Sequence, residues 1–421
     1  MNLFIKDARL LDDRRVDIHI EKGLITAMDG KLPPPPPGTE VLDARGMVAT
    51  PGLINGHTHA AMTLFRGYGD DMFLMDWLQN RIWPAEAKMS EEDIYWGTKL
   101  ACLEMIRSGT VQFHDMYWQY HAVARAVDDM GLRAGIGAIL LDVAGVEQGD
   151  HLQELSEQLY DETSRYSQRI RYEHSPHAIY TVSEARLRWV AEFSEKRGTL
   201  VHIHLSETAR EVSECQAQHG VRPAFYLDRV GLLNPRVYLA HGVHLDAAEL
   251  DLIAERNATL VTNPVSNMKL AVGGTFPYQE VARRGINMAI GTDGAASNNS
   301  LDLFQDVKIL ALLQKHASHD PTTLPARVAW KILTGARAPV FGQSGRIAPG
   351  EKADLLLLNL EQVEITPHHD LISNLIYAAT GHVVDTMVVD GRILMRGRRI
   401  DGEEEIRQEA AARARSLCVN N

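Results

Sequence analysis

From Met47 to Gly294 the chain repeats one texture eight times: a short apolar stretch, then a longer segment of helical character. The apolar stretches are MVATPGLINGHTH, TVQFHDM, LRAGIGAILL, RIRYEHSPH, TLVHIHLSE, RVYLAHGVH, ATLVTNPVSN and INMAIGTDG. Near-continuous apolar runs suit strands covered on both faces, and a helix between successive strands makes them parallel. Eight such units predict a (β/α)8, TIM-like barrel of the α/β class. One intervening segment carries explicit boundary signals. Ser90 and Asp93 form a capping box, Ile94, Leu100, Leu103 and Ile106 supply an apolar stripe, and Gly109 ends it.

The two ends of the chain read differently. LFIKDARLL, VDIHIEKGLITAM and EVLDARGMVATPG alternate apolar and polar residues as strands do. The run Pro33 to Pro37 cannot join a sheet and is expected as an exposed loop between two of them. Strand texture returns in GRIAPGEKADLLLLNL and VDTMVVDGRILMRGRRI, and EEEIRQEAAARARSLC reads as a terminal helix. We therefore expect residues 1–50 and 346–421 to join as one small composite β-sandwich domain, with the catalytic barrel, 51–345, inserted between them. A length of 421 residues suits one large domain with a smaller companion.

Composition narrows the partners. The formal net charge is -12 and no Lys/Arg-rich run stands out, which argues against nucleic acid. No stretch reaches the roughly 18 apolar residues of a membrane span. The N-terminus lacks the pattern of a signal peptide. Three scattered cysteines, Cys102, Cys215 and Cys418, argue against a disulfide framework and a cysteine metal site. The expected location is a reducing cytoplasm. A homo-oligomer is compatible with the sequence, and no segment marks its interface.

The chemistry-bearing residues fall at the C-terminal ends of the proposed strands, the face where barrel enzymes carry their sites. His57 and His59 lie two apart, so both imidazoles point to one side of a strand. His204 ends the fifth strand with Glu207 three residues on, His241 ends the sixth and Asp293 the eighth. Histidines with an aspartate suit zinc, with iron or nickel as alternatives, and leave a position for water. RIRYEHSPH has no lysine to bridge two ions, which favours one metal.

With PGLINGHTH, DWL followed by WPAE, SPHAIY, HIHLSET, AHGVHL, NPVSNMKLAVG and GTDGAASNNSLDLF, nearly the whole chain resembles the amidohydrolase superfamily. Within it the chain is similar to the 5'-methylthioadenosine/S-adenosylhomocysteine deaminases. The resemblance implies hydrolytic deamination of a 5'-substituted adenosine by an activated water. It implies one metal on His57, His59, His204 and Asp293, proton shuttling by Glu207, a hydrogen bond from His241 to the attacking water, and Asp293 as the base. Glu86 and His177 are implied to contact the nucleoside, and Trp77 to stack on the purine. Arg133 matches one of two arginines expected to grip a homocysteine carboxylate, or else serves a structural ion pair. Residues 145–154 hold no second arginine.

Other histidines, among them His114, His202 and His244, are expected to pack or to support the ligands. Competing expectations are a deaminase of a free base such as guanine, an s-triazine hydrolase, a two-metal amide hydrolase, and a metal-binding barrel without turnover.

Overall fold

The computed structural model describes residues 2–142 and 145–418. Five strands precede the barrel: β1 (Asn2–Arg9), β2 (Arg15–Glu21), β3 (Leu24–Asp29), β4 (Glu40–Asp43) and β5 (Met47–Pro51). The barrel strands are β6 (Leu53–Thr58), β7 (Thr110–Tyr117), β8 (Arg133–Leu140), β9 (Ile170–Pro176), β10 (Leu200–Leu205), β11 (Val237–His241), β12 (Thr259–Thr262) and β13 (Asn287–Ile290). Three follow: β14 (Leu355–Asn359), β15 (Val384–Val389) and β16 (Arg392–Met395).

Strands β6 to β13 lie side by side in chain order and all pair in parallel. The seam between last and first is closed by Asp293 N–H to the His57 carbonyl at 3.0 Å. The Asn55 amide adds bonds to Thr292, accepting from its N–H at 3.1 Å and donating to its hydroxyl at 2.8 Å. The helix Glu91–Ser108 has its capping box between Ser90 and Asp93, and Gly109 ends it at φ 91°.

The remaining strands form one mixed sheet in the order β16-β15-β14-β5-β1-β2-β3, with β4 on β1. The antiparallel pairing of β5 with β14, from Met47–Asn359 to Pro51–Leu355, ties the two ends of the chain together. The run of four leucines in β14 follows from burial on both faces. Leu355 and Leu357 meet Leu3, Ile5 and Ile18 in a small core, while Leu356 and Leu358 join the main core of the barrel.

One apolar stretch is divided by the structure. MVATPGLINGHTH becomes β5 in the terminal sheet and β6 in the barrel, with Gly52 as the crossing point. Its N–H turns to the Asp354 carbonyl, and a Cβ there would come within 2.1 Å of Val111. The helix Glu403–Cys418 also lies apart from the terminal sheet. It packs on the barrel helix Glu91–Ser108 through Arg413 to Asp93 at 3.1 Å and Glu403 to Arg107 at 2.6 Å. The prolines 33–37 lie in an irregular stretch between β3 and β4.

The barrel interior contains a polar layer. Gln112 and His114 on β7, Glu173 on β9 and Tyr238 on β11 interlock: Tyr238 O–H donates to Glu173, which also pairs with His114 Nδ1 at 3.1 Å. Every member is buried, so each hydrogen bond replaces one lost to water. No helix among the described residues is long and apolar enough to cross a membrane.

Candidate active site

The C-terminal strand ends bring five expected residues together. The ligand atoms of His57, His204 and His241 lie within 4.8 Å of one another, and so do those of His57, His59 and Asp293. His57 belongs to both triads and is fully buried. Two of the five stand at left-handed backbone positions, His241 at φ 73° and Asp293 at φ 61°. A non-glycine residue held there points to a tertiary constraint on where its side chain is aimed.

The imidazole tautomers follow from what each Nδ1 meets. His59 Nδ1 donates to the Met116 carbonyl at 2.7 Å, His204 Nδ1 to the His177 carbonyl at 2.7 Å, and His241 Nδ1 to the Asn267 side-chain oxygen at 2.8 Å. A proton fixed on Nδ1 leaves a lone pair on Nε2. His57 Nδ1 lies 2.6 Å from His202 Nε2, and its own Nε2 is buried without a hydrogen-bond partner. Its neighbour in space is Asp293 Oδ1, 3.3 Å from His57 Nε2 and 3.2 Å from His59 Nε2. A buried set of imidazole lone pairs around a carboxylate is what a borderline divalent cation requires, so these residues fit a metal centre.

The carboxylate is itself held in place. Ser266 O–H donates to Asp293 Oδ2 at 2.6 Å and Gly294 N–H to Oδ1 at 2.9 Å. Burial resists its charge, but His57 and His59 prevail and keep it ionised well below the ordinary range. Burial also pulls His57 down to about 4, while the Asp293 contact raises His59 against burial to about 9.

Glu207 is buried beside this cluster, with Oε1 3.8 Å from His241 Nδ1. Burial raises its pKa and Asp293 adds to the effect, with His241 opposing. Its backbone N–H is pinned at 2.8 Å by Glu211, which also accepts from Ser206 N–H at 2.8 Å.

Glu86 comes from the segment between β6 and the helix Glu91–Ser108. A π-helical turn, Leu78–Ile82, separates the short helices Leu74–Trp77 and Trp83–Glu86. Tyr117, at the end of β7, donates to Glu86 Oε1 at 2.7 Å. Burial pushes Glu86 up to about 7, against the Tyr117 hydrogen bond and the charge of His59. Trp77 is buried in the same segment, alongside Gly69. His177 sits against the cluster, its ring centroid 4.8 Å from that of His204, with Nδ1 on Thr181 at 2.9 Å.

Arg133 is the exception, and the structure corrects the expectation of a substrate contact. It is the first residue of β8, not a residue at a C-terminal strand end. Parallel strands put their first residues on the opposite face, roughly 20 Å away at 3.3 Å per residue. There it pairs with Asp354 at 2.6 Å and Asp390 at 2.8 Å. His114 lies within β7 in the polar layer, His202 backs His57, and His244 bonds the Val272 carbonyl at 2.8 Å. Tyr117, Ser266 and Asn267 went unassigned in the sequence. Tyr117 carried a usable signal, its place at the end of a barrel strand; the other two lie in the short helix Pro264–Lys269 after β12, whose contacts no spacing reveals.

Comparison with known proteins agrees with this geometry. Residues 48–394 match the model of the amidohydrolase family. A 5'-deoxyadenosine deaminase of Methanoregula boonei is 47% identical over 380 residues, covering 90% of this chain and 86% of the relative. A 5-methylthioadenosine/S-adenosylhomocysteine deaminase of Desulforudis audaxviator is 40% identical over 432 residues, covering 99% of both. Among solved structures, a zinc-bound adenosine deaminase from Xanthomonas campestris superposes with a TM-score of 0.91 at 33% identity, covering 99% of this chain and 98% of the other. The family model spans most of the chain and both relatives align over nearly all of it: this chain belongs to the amidohydrolase family.

Proposed function

We propose that this chain hydrolytically deaminates a 5'-substituted adenosine, releasing ammonia and the inosine analogue. The observation that carries the reading is the buried Glu207 carboxyl next to the cluster of His57, His59, His204, His241 and Asp293. Displacing ammonia from an aromatic carbon needs an activated water and a proton for the ring, and the mouth offers groups for both.

His57, His59, His204 and Asp293 would hold one divalent cation, zinc by first choice, with iron or nickel also suited to this donor set. When bound, the cation supplies Lewis-acid activation of water. Asp293, ionised and steadied by Ser266, takes the proton of the water. Glu207, whose carboxyl burial pushes towards its acid form, delivers a proton to the ring nitrogen beside the attacked carbon. His241, its Nδ1 proton committed to Asn267, turns Nε2 to the attacking water and aligns it. Glu86, steadied by Tyr117, receives the ribose hydroxyls, and His177 contacts the nucleoside. Trp77 closes over the purine from the same segment as Glu86. Residues 1–50 and 346–421 serve as a supporting domain for the barrel, 51–345. A cytoplasmic enzyme agrees with three free cysteines.

The 5' group follows from what the mouth lacks. Residues 145–154 contain no arginine and Arg133 is held at the far end of the barrel. Neither expected partner of a homocysteine carboxylate is in place, so short uncharged 5' substituents rank above S-adenosylhomocysteine. Ammonia release by metal-loaded enzyme tests this across 5'-deoxyadenosine, 5'-methylthioadenosine, S-adenosylhomocysteine, adenosine, guanine and a triazine. The two short 5' nucleosides should turn over fastest. A preference for guanine or triazine overturns the proposal.

A further inference from the structure

The face of the barrel opposite the mouth also carries a pocket. It is a small cavity of about 20 Å³, partly open to solvent, where the first residues of the barrel strands meet the terminal sheet. Its lining includes Gln112, Arg133, Arg169, Arg171, Glu173 and Lys352. Two of these are already spoken for. Arg133 is saturated by Asp354 and Asp390, and Glu173 is committed to Tyr238 and His114.

The other three cations keep unused capacity. Arg169 is 8% exposed, and its Nε is buried with no hydrogen-bond partner. Only its Nη2 is fully engaged, on Asp128 at 2.8 Å; Nη1 stands 3.9 Å from Asp390. Lys352 Nζ donates to the Gly342 carbonyl at 2.9 Å, a neutral acceptor. A Cβ on Gly342 would lie 3.7 Å from Lys352 Nζ and 3.8 Å from Arg171 Nη1, so the two like charges flank a single residue. Burial, then Arg133 and Arg171, push the Lys352 pKa down against the pull of Asp354 and Asp390, so the cations outweigh the carboxylates around it.

We propose that this pocket binds a small oxyanion of the phosphate type between Arg169, Arg171 and Lys352. Forked guanidinium donors and an ammonium are the groups that pair with the oxygens of a tetrahedral anion. The chain as a whole carries -12, so its long-range field repels anions and the local donors must supply the affinity. The site joins strand β9 of the barrel to the residues before β14, and an anion there clamps the terminal sheet to the barrel floor. It is independent of the chemistry at the mouth.

The test is a calorimetric titration of metal-loaded enzyme with inorganic phosphate, alongside inhibition kinetics and a tungstate soak of crystals. The double variant Arg171→Gln/Lys352→Gln is compared with the parent, and Lys352→Gln alone serves if the double variant folds poorly. Phosphate should bind the parent without competing with the nucleoside and raise its melting temperature. The variant should bind at least roughly tenfold more weakly and turn over normally in phosphate-free buffer. Tungstate should give an anomalous peak among Arg169, Arg171 and Lys352. Unchanged phosphate affinity in the variant, purely competitive inhibition, or tungstate found at the mouth alone overturns the proposal.

Discussion

The mouth and the floor of the barrel are built from the two ends of the same eight strands, yet they gather opposite chemistry. At the mouth, Nδ1 protons are tied to carbonyl oxygens, and the lone pairs of His57, His59, His204 and His241 converge with the Asp293 carboxylate. At the floor, N–H donors converge instead: Arg133, Arg169, Arg171 and Lys352. An acceptor-rich cluster suits a cation and a donor-rich one an anion. The difference comes from the neighbours. Loops that follow the strands cover the mouth, whereas the terminal sheet brings Asp354, Asp390 and Lys352 to the floor. The mouth keeps lone pairs open for a cation; at the floor the aspartates take up Arg133, while Arg169, Arg171 and Lys352 keep donors open.

The largest effect separating the two ends is metal removal. Chelation should abolish turnover, one equivalent of zinc per chain should restore it, and elemental analysis should find that stoichiometry. Two equivalents would break the single-metal reading. Next comes Glu207→Gln, which should keep its metal and lose about 10²–10⁴ in kcat, the usual worth of a positioned acid or base. Near-normal turnover would remove Glu207 from the mechanism.

Arg133→Ala should do the reverse. It strands Asp354, whose side chain is 2% exposed, and should cost about 3–5 kcal/mol of stability in denaturant melts. Turnover per folded molecule should stay as it was; a fall in kcat at unchanged stability would erase the distinction between mouth and floor.

Smaller effects lie at the nucleoside contact. Glu86→Ala should raise KM for nucleosides far more than for free bases, and equal losses on both would refute the ribose contact. Tyr117→Phe should be milder still. Its O–H stabilises the Glu86 carboxylate, so removing it moves the Glu86 pKa up from about 7. If the ionised form receives the ribose, the acid limb of kcat/KM shifts to higher pH. A pH profile that does not move would place Tyr117 outside substrate recognition.

Much of this was legible in the chain. The eight strand–helix units, the Ser90 cap, the Gly109 stop and the HTH pair depend on short-range patterns, which sequence records directly. The strand-end position of His57, His204, His241 and Asp293 followed from the same alternation. Arg133 shows the limit. The stretch LRAGIGAILL already put it at the start of a strand, but its partners Asp354 and Asp390 lie far along the chain, and no local pattern pairs them with it. Gly52 shows another: one apolar run serves two sheets, and only the close approach of Val111 marks the crossing.

By itself, then, the sequence determined the barrel, the residue types of the metal centre and the acid beside it, because periodicity and strand-end placement are local properties. The tertiary structure decided the tautomers of His59, His204 and His241, the seat of Asp293 on Ser266 and the fate of Arg133. Each of those depends on a partner distant in the chain, such as Met116 for His59 or Asp354 for Arg133, and such pairings exist only once the barrel has closed and the terminal sheet has docked on its floor.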